Sequence, residues 1–342
     1  MKFLFQSKVT DLYRESVRLW EMGADAFQHA KTEMDALNIR FHQIYAPSRK
    51  TLAEDISQAR AFVLTPEAAS YCDSFRRDLK DENGFLTSVP FSFQSVWIEY
   101  DLLALLPSRV ARWAEMEMPE DAASIYGMRG LLLKVNADGH LEAVMVRNNK
   151  GAVHGLSAIE IIDPIASVIV RLDENRIPTD GKMEVHPSPT ARRAIAEIAD
   201  HTGITKEDYV EMVQDDFENL SFEIVTVFAF LALLDARENG MRLDKIPRAI
   251  RRRLKRSEMY YDDKSEKVSV VYLDDLGRGH VEAVEDAVSG ASSTSTAKRR
   301  SHWVRGHFVN RDRKVFWRKP HVRGGRTGDE HQVTLVKARL SQ

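Results

Sequence analysis

Cysteine is almost missing from this chain: Cys72 is the only one in 342 residues. A single thiol excludes an internal disulfide and any zinc site built from several thiolates of one chain, and it suits a reducing compartment. Long hydrophobic runs are lacking too. The longest, near residues 225–234, is about ten residues, roughly half of what a membrane-spanning helix needs, so no membrane association is expected. The first residues, Met1-Lys2-Phe3-Leu4-Phe5, have one early positive charge but no long apolar stretch or small-residue cleavage motif, which argues against a signal peptide. Neither G-x-x-x-x-G-K-[ST] nor G-x-S-x-G occurs, so there is no Walker-type phosphate loop and no nucleophile elbow. What the chain does have is apolar content, 43% hydrophobic residues, ample for one large domain or two ordinary ones.

The apolar spacing reads as α+β. Val9, Leu12, Tyr13, Val17 and Trp20, then Phe27, Leu37, Phe41 and Ile44, recur at helical intervals with a break near Gly23, which predicts two early helices. Pro47 and Ser48 are expected to interrupt. Thr51-Leu52-Ala53-Glu54 and Thr65-Pro66-Glu67 are then two further helix starts, the second running towards Leu79 and stopped by Asn83-Gly84. From residue 85 to 186 the period becomes two. Val96, Ile98 and Tyr100 alternate with Trp97, Glu99 and Asp101; residues 130–135 and 140–146 flank the turn Asn136-Ala137-Asp138-Gly139; residues 166–172 are β-branched. These predict a mostly antiparallel sheet of about four or five strands. Helices are expected again over 189–258, with Ser188 and Thr205 as caps and an all-round apolar, hence buried, stretch over 222–234. Residues 267–273 alternate as a strand.

Charge is distributed unevenly. Residues 298–342 hold thirteen Lys and Arg against Asp312, Asp329 and Glu330, a formal +10; with the whole chain at −2, residues 1–297 carry −12. An acidic body over 1–282, a low-complexity linker over 283–299 rich in Ser, Thr, Gly and Ala, and a basic module over 300–342 follow from that. Within the module, 302–309 and 315–322 read as two strands. If Val309 pairs with Val315, His307 faces Trp317, Arg305 faces Lys319, Trp303 faces His321, Phe308 faces Phe316 and Val304 faces Pro320. Opposed cations on one face of a ribbon ask for an anion across them, and aromatic rings beside phosphate-binding cations suit nucleic acid. The expected nucleic-acid contacts are Arg300, Trp303, Arg305, His307, Arg313, Trp317, Arg318, Lys319, His321 and Arg323. A second basic element, residues 242–256 with eight Lys and Arg against Asp244, is expected as a helix that adds Arg248 and Arg252.

Metal and catalytic readings are weaker in their residue patterns. His302, His307, His321 and His331 have no cysteine beside them and match no zinc spacing, so neither metal nor cofactor is expected. Glu99 and Asp101 fall on one side of a strand and could jointly hold magnesium as in a nuclease. No third carboxylate or lysine at diagnostic spacing accompanies them, and charged residues on the outer face of a half-buried sheet are the ordinary explanation.

Two stretches carry a resemblance: residues 90–100, Pro-Phe-Ser-Phe-Gln-Ser-Val-Trp-Ile-Glu-Tyr, and the tail segments His302-Trp303-Val304-Arg305-Gly306-His307-Phe308 and Phe316-Trp317-Arg318-Lys319-Pro320-His321-Val322-Arg323-Gly324. They resemble uncharacterised bacteriophage and prophage proteins with an α+β body and a closing V-R-G-H and P-H-x-R-G pair. The resemblance implies a phage-encoded protein in the cytoplasm of a bacterial cell and assigns no activity. The expectation is therefore a non-enzymatic nucleic-acid-binding accessory protein. The alternatives are a protein-interaction or virion-associated role, with the tail on an acidic protein partner, and a magnesium-dependent nuclease.

Overall fold

Arg60-Ala61-Phe62-Val63-Leu64 is short, apolar on both sides and placed between two helices, and it forms the strand around which the protein is built. The computed structural model of the protein describes residues 5–78, 82–101, 128–147, 163–202, 205–234, 241–245, 268–273, 302–304, 307–311, 314–318 and 321–323. This first strand, β1 (Arg60–Leu64), is buried along nearly its whole length. A strand covered on both faces reads as a continuous apolar run rather than an alternation, which is why it hides inside a stretch expected to be helical over 8–80.

β1 lies parallel to β2 (Ser95–Asp101) on one side and to β8 (Val268–Leu273) on the other. From β2 the sheet continues antiparallel through β3 (Met128–Val135), β4 (Leu141–Arg147), β5 (Ala166–Leu172) and β6 (Pro178–Pro187). Beyond β8 comes the antiparallel edge strand β7 (Met241–Lys245). The eight-stranded order is β6-β5-β4-β3-β2-β1-β8-β7. The protein is α+β, as its sequence pattern indicates. The antiparallel run over 95–187 matches expectation, but the sheet is mixed and extends to residues 60–64, 241–245 and 268–273. The β3–β4 turn forms as its residues dictate: the Asn136 side chain accepts from the backbone N–H of Asp138 and of His140, and Gly139 takes φ +79°.

Helices cover both faces. Phe62, Val96, Ile98, Tyr100, Leu131, Leu133, Ala143 and Met145 face a layer made by α3 (Pro66–Asp78), α4 (Glu82–Leu86) and α6 (Lys206–Leu234), of which α6 contributes Leu220, Ile224, Val227, Phe228, Phe230 and Leu233. Ala61, Val63, Trp97, Leu132, Val268 and Val270 face α1 (Phe5–Met22) and α2 (Glu33–Gln58) through Val9, Tyr13 and Ile56. A smaller cluster, Leu37, Phe41 and Tyr45 against Ala191 and Ala194, seats α2 on α5 (Pro189–Thr202). At ~1.5–3 kcal/mol for each large apolar side chain taken from water, these clusters dominate the driving force. By length and composition α6 would be apolar enough to cross a membrane, yet 61% of its most apolar window is buried inside the fold. It serves as the core helix of one layer.

Local signals and tertiary structure disagree at three places. Neither the helix interruption expected at Pro47 nor the new helix start expected at Thr51 occurs: α2 runs through both. A proline inside a helix costs ~3 kcal/mol, and buried contacts on either side, Tyr45 and Ile56 among them, hold the helix together across it. The start of α2 is set instead by Thr32, whose hydroxyl accepts from the Asp35 N–H while the Asp35 carboxylate accepts from the Thr32 N–H. Asn83-Gly84 lies inside α4 rather than acting as a stop. Arg242 and Lys245, expected on a basic helix, are on the edge strand β7, where charge discourages further strand pairing. The rest of that stretch, including Arg248 and Arg252, lies outside the described residues, as does the 283–299 linker. The caps at Ser188 and Thr205 form as expected.

Candidate functional site

Among the described residues the basic tail forms four short strands: β9 (His302–Val304) pairs with β12 (His321–Arg323), and β10 (His307–Arg311) pairs with β11 (Lys314–Arg318), both antiparallel. The register differs by one residue from the expected one. His307 lies across from Arg318, Phe308 from Trp317, Val309 from Phe316 and Arg311 from Lys314. Trp303 lies across from Val322 and His321 from Val304. Only two residues then separate the paired Arg311 and Lys314, the commonest hairpin loop length, whereas pairing Val309 with Val315 needs a five-residue turn. Because the side-chain period of a strand is two, the shift moves Trp317 from the row of His307 to the row of Phe308. The expected rows His307 with Trp317 and Trp303 with His321 are therefore not the ones formed. Three register positions oppose basic residues: His302 with Arg323, His307 with Arg318, and Arg311 with Lys314. Arg300, Arg305, Arg313 and Lys319 lie outside the described residues.

Glu99 and Asp101 do not make an accessible metal site. Trp97 and Glu99 are fully buried under α1 and α2, and the Trp97 indole N–H donates to Glu99 Oε2 at 3.0 Å. The solvated outer face expected there is an interior face. Among the described residues, no cluster of three or more His, Cys, Asp or Glu is arranged to hold a metal ion.

The body has a feature that no sequence motif announces. A cleft of about 540 Å³ lies between Arg49, Leu52 and Asp55 of α2 and Leu132, Lys134, Glu142 and Val144 of the sheet, and His186 and Pro187 also line it. It adjoins a groove of about 600 Å³ across β4, β5 and β6 that shares Glu142, Ser167 and His186. Lys134 sits between Asp55 at 2.6 Å and Glu142 at 3.5 Å. Partial burial pulls its pKa down, but these two carboxylates outweigh burial and leave it raised. Arg171 is held by Glu184 at 2.6 Å.

Arg49, one of the residues lining the cleft, is almost fully buried. Its Nε donates to Asp163 Oδ1 at 2.7 Å and a second N–H reaches the other carboxylate oxygen, a bidentate pair. A third donor reaches Ser16 and His42 Nδ1, the latter at 2.9 Å. The rings of Tyr45, Phe41 and Tyr13 surround the guanidinium at 4.9, 5.6 and 5.9 Å. Arginine has only donors, so Nδ1 of His42 must be an unprotonated acceptor. Burial, then the Arg49 charge, lower the His42 pKa to about 4. Burial first, then the Asp163 charge, push the Tyr13 and Tyr45 hydroxyls well above their usual range.

Ser16 Oγ and His42 Nδ1 lie 2.7 Å apart, a nucleophile-base distance, but Ser16 is fully buried on α1 and its single hydroxyl proton is shared between His42 and Leu12 O, which lies at 2.9 Å. The group clamps α1, α2 and the residues entering β5. Arg49 and Asp163 are 114 positions apart, and nothing in the sequence links them. His42 and Arg49, two helical turns apart on one face, were the only local hint. In comparison with known proteins, no protein-family model, no curated protein and no solved structure matches the chain.

Proposed function

We propose that this protein is a phage-encoded, non-enzymatic nucleic-acid-binding protein of the bacterial cytoplasm, in which the basic tail grips the phosphate backbone and the acidic α+β body carries it. The observation that carries the reading is the set of opposed basic pairs, His302 with Arg323, His307 with Arg318 and Arg311 with Lys314, within a segment of formal charge +10. Arg311 and Lys314 are like charges across a strand pair, which destabilises it by roughly 0.2–1 kcal/mol. A phosphate backbone reverses the sign of that contribution, so the ribbon is better formed on its ligand than off it. Trp303 and Trp317, in separate rows, offer apolar or stacking surface beside the cations. The resemblance of residues 90–100 and of the tail to phage and prophage proteins fits a role on phage or host nucleic acid.

Fluorescence anisotropy of labelled single-stranded and duplex oligonucleotides with the full chain tests this. Binding should weaken steeply with salt, with log K falling by about 0.7–0.9 per phosphate neutralised per log unit of salt. Replacing Arg311 and Arg318 by Glu should remove about two phosphates from that slope. Absence of binding at low salt to either strand form overturns the proposal; co-purification of a protein partner that survives nuclease treatment would favour docking on protein instead.

A further inference from the structure

A second place in the body asks for a negative partner. Tyr100, Arg129 and Arg147 lie directly across from one another on β2, β3 and β4. They continue the alternation of Leu131, Leu133, Ala143 and Met145 and so take the face covered by α6. The helix brings Asp216 and Glu223 to the same row. Arg147 pairs with Asp216 at 3.2 Å, Asp216 also accepts the Ala166 N–H at 3.2 Å, and the Tyr100 hydroxyl donates to Glu223.

Arg129 is left over. It is 2% exposed, and among the described residues its one hydrogen bond goes to the thioether of Met145 at 3.7 Å and Nε of both Arg129 and Arg147 is buried without a partner. Two guanidinium groups on directly opposed residues, mostly out of water, are an unfavourable arrangement unless negative oxygens meet their unused donors. Burial and the charge of Arg147 lower the Arg129 pKa to about 10, so its guanidinium stays cationic at neutral pH.

We infer that Arg129 and Arg147 form a binding site for a small oxyanion, a phosphate or carboxylate group, at the end of the sheet where the chain leaves β2 and β4. The planar arginine fork matches such a group in bidentate fashion. Arg147, whose side chain keeps 11% exposure, is the approach from solvent, and Arg129 is the inner clamp. In the protein alone Asp216 and Glu223 balance the two cations, which keeps the row folded. This site lies in the body, on residues separate from the basic tail.

Thermal shift and calorimetry on the full chain test it, with inorganic phosphate and, separately, acetate as probes against chloride at matched ionic strength. A saturable rise in melting temperature with phosphate assigns a phosphate group, and one with acetate alone a carboxylate. Arg129→Met should fold, since exchanging a buried unpaired cation for an apolar chain is often neutral or favourable, and should weaken binding by about tenfold or more. Arg129→Lys keeps the charge without the fork and should weaken it to an intermediate degree. No saturable response to either probe overturns the inference, and so does a response that persists undiminished in Arg129→Met, which would place the anion on the tail.

Discussion

Replacing Asp163 by Asn probes the clamp that joins α1, α2 and the entry to β5. The pair is almost dry, with side-chain exposures of 0% for Arg49 and 2% for Asp163, so water cannot compensate for a lost partner. Removing one member of a buried pair costs about 3–5 kcal/mol because the other charge is stranded. Tyr45, Phe41 and Tyr13 still offer their ring faces to the guanidinium, at roughly 0.5–2 kcal/mol for a desolvated contact, which moves the expectation to the lower end, about 3 kcal/mol. For a body of this size that corresponds to a fall in melting temperature of roughly 6–12 °C. Urea unfolding followed by far-UV circular dichroism and by tryptophan emission would measure it. The double replacement Arg49→Met with Asp163→Leu removes both charges and should return to within about 1 kcal/mol of the parent, since well-packed apolar residues often match a buried ion pair. A loss below about 0.5 kcal/mol for Asp163→Asn, the range of an ordinary surface change, would refute the reasoning. So would a double variant no better than the single one.

Two further outcomes follow from buried groups. His42 is held neutral in the folded state, with its pKa lowered from 6.5 to about 4; the unfolded chain therefore binds the extra proton, and stability present above pH 6.5 is lost as pH falls towards 4, by up to roughly 3 kcal/mol in all. His42→Gln should flatten the pH dependence over that window relative to the parent, and identical profiles would contradict the account. Glu99→Ala removes the acceptor of the Trp97 indole and leaves a void under α1 and α2, an expected loss of about 2–4 kcal/mol with a red-shifted tryptophan emission, while Glu99→Gln, which keeps an acceptor, should cost less. Unchanged stability in Glu99→Ala would return Glu99 to the list of accessible carboxylates.

Periodicity alone determined a good deal here. The alternation of Val96, Ile98 and Tyr100 against Trp97 and Glu99 established β2 and its two faces. Asn136-Ala137-Asp138-Gly139 marked the hairpin turn, and the all-round apolar stretch over 222–234 marked a core helix. These are local properties, set by backbone geometry and by the two or three residues nearest in sequence. The contrast between a basic tail and an acidic body is likewise a property of composition, and it needs no fold to be read.

Tertiary structure decided the rest, wherever partners lie far apart along the chain. β1 is a strand because β2 and β8 flank it, although its residues alternate with nothing. Pro47 stays inside α2 because the contacts on both sides of it outweigh its local cost. Arg49 with Asp163, and Arg129 with Arg147 beneath α6, owe their states to burial, which raises the cost of an unpaired charge from little to several kcal/mol. In the tail, the register formed leaves two residues between the paired Arg311 and Lys314, one residue away from the expected register. That small difference reassigns every facing pair of the ribbon, because a pattern of period two looks the same in either register until the strands are placed side by side.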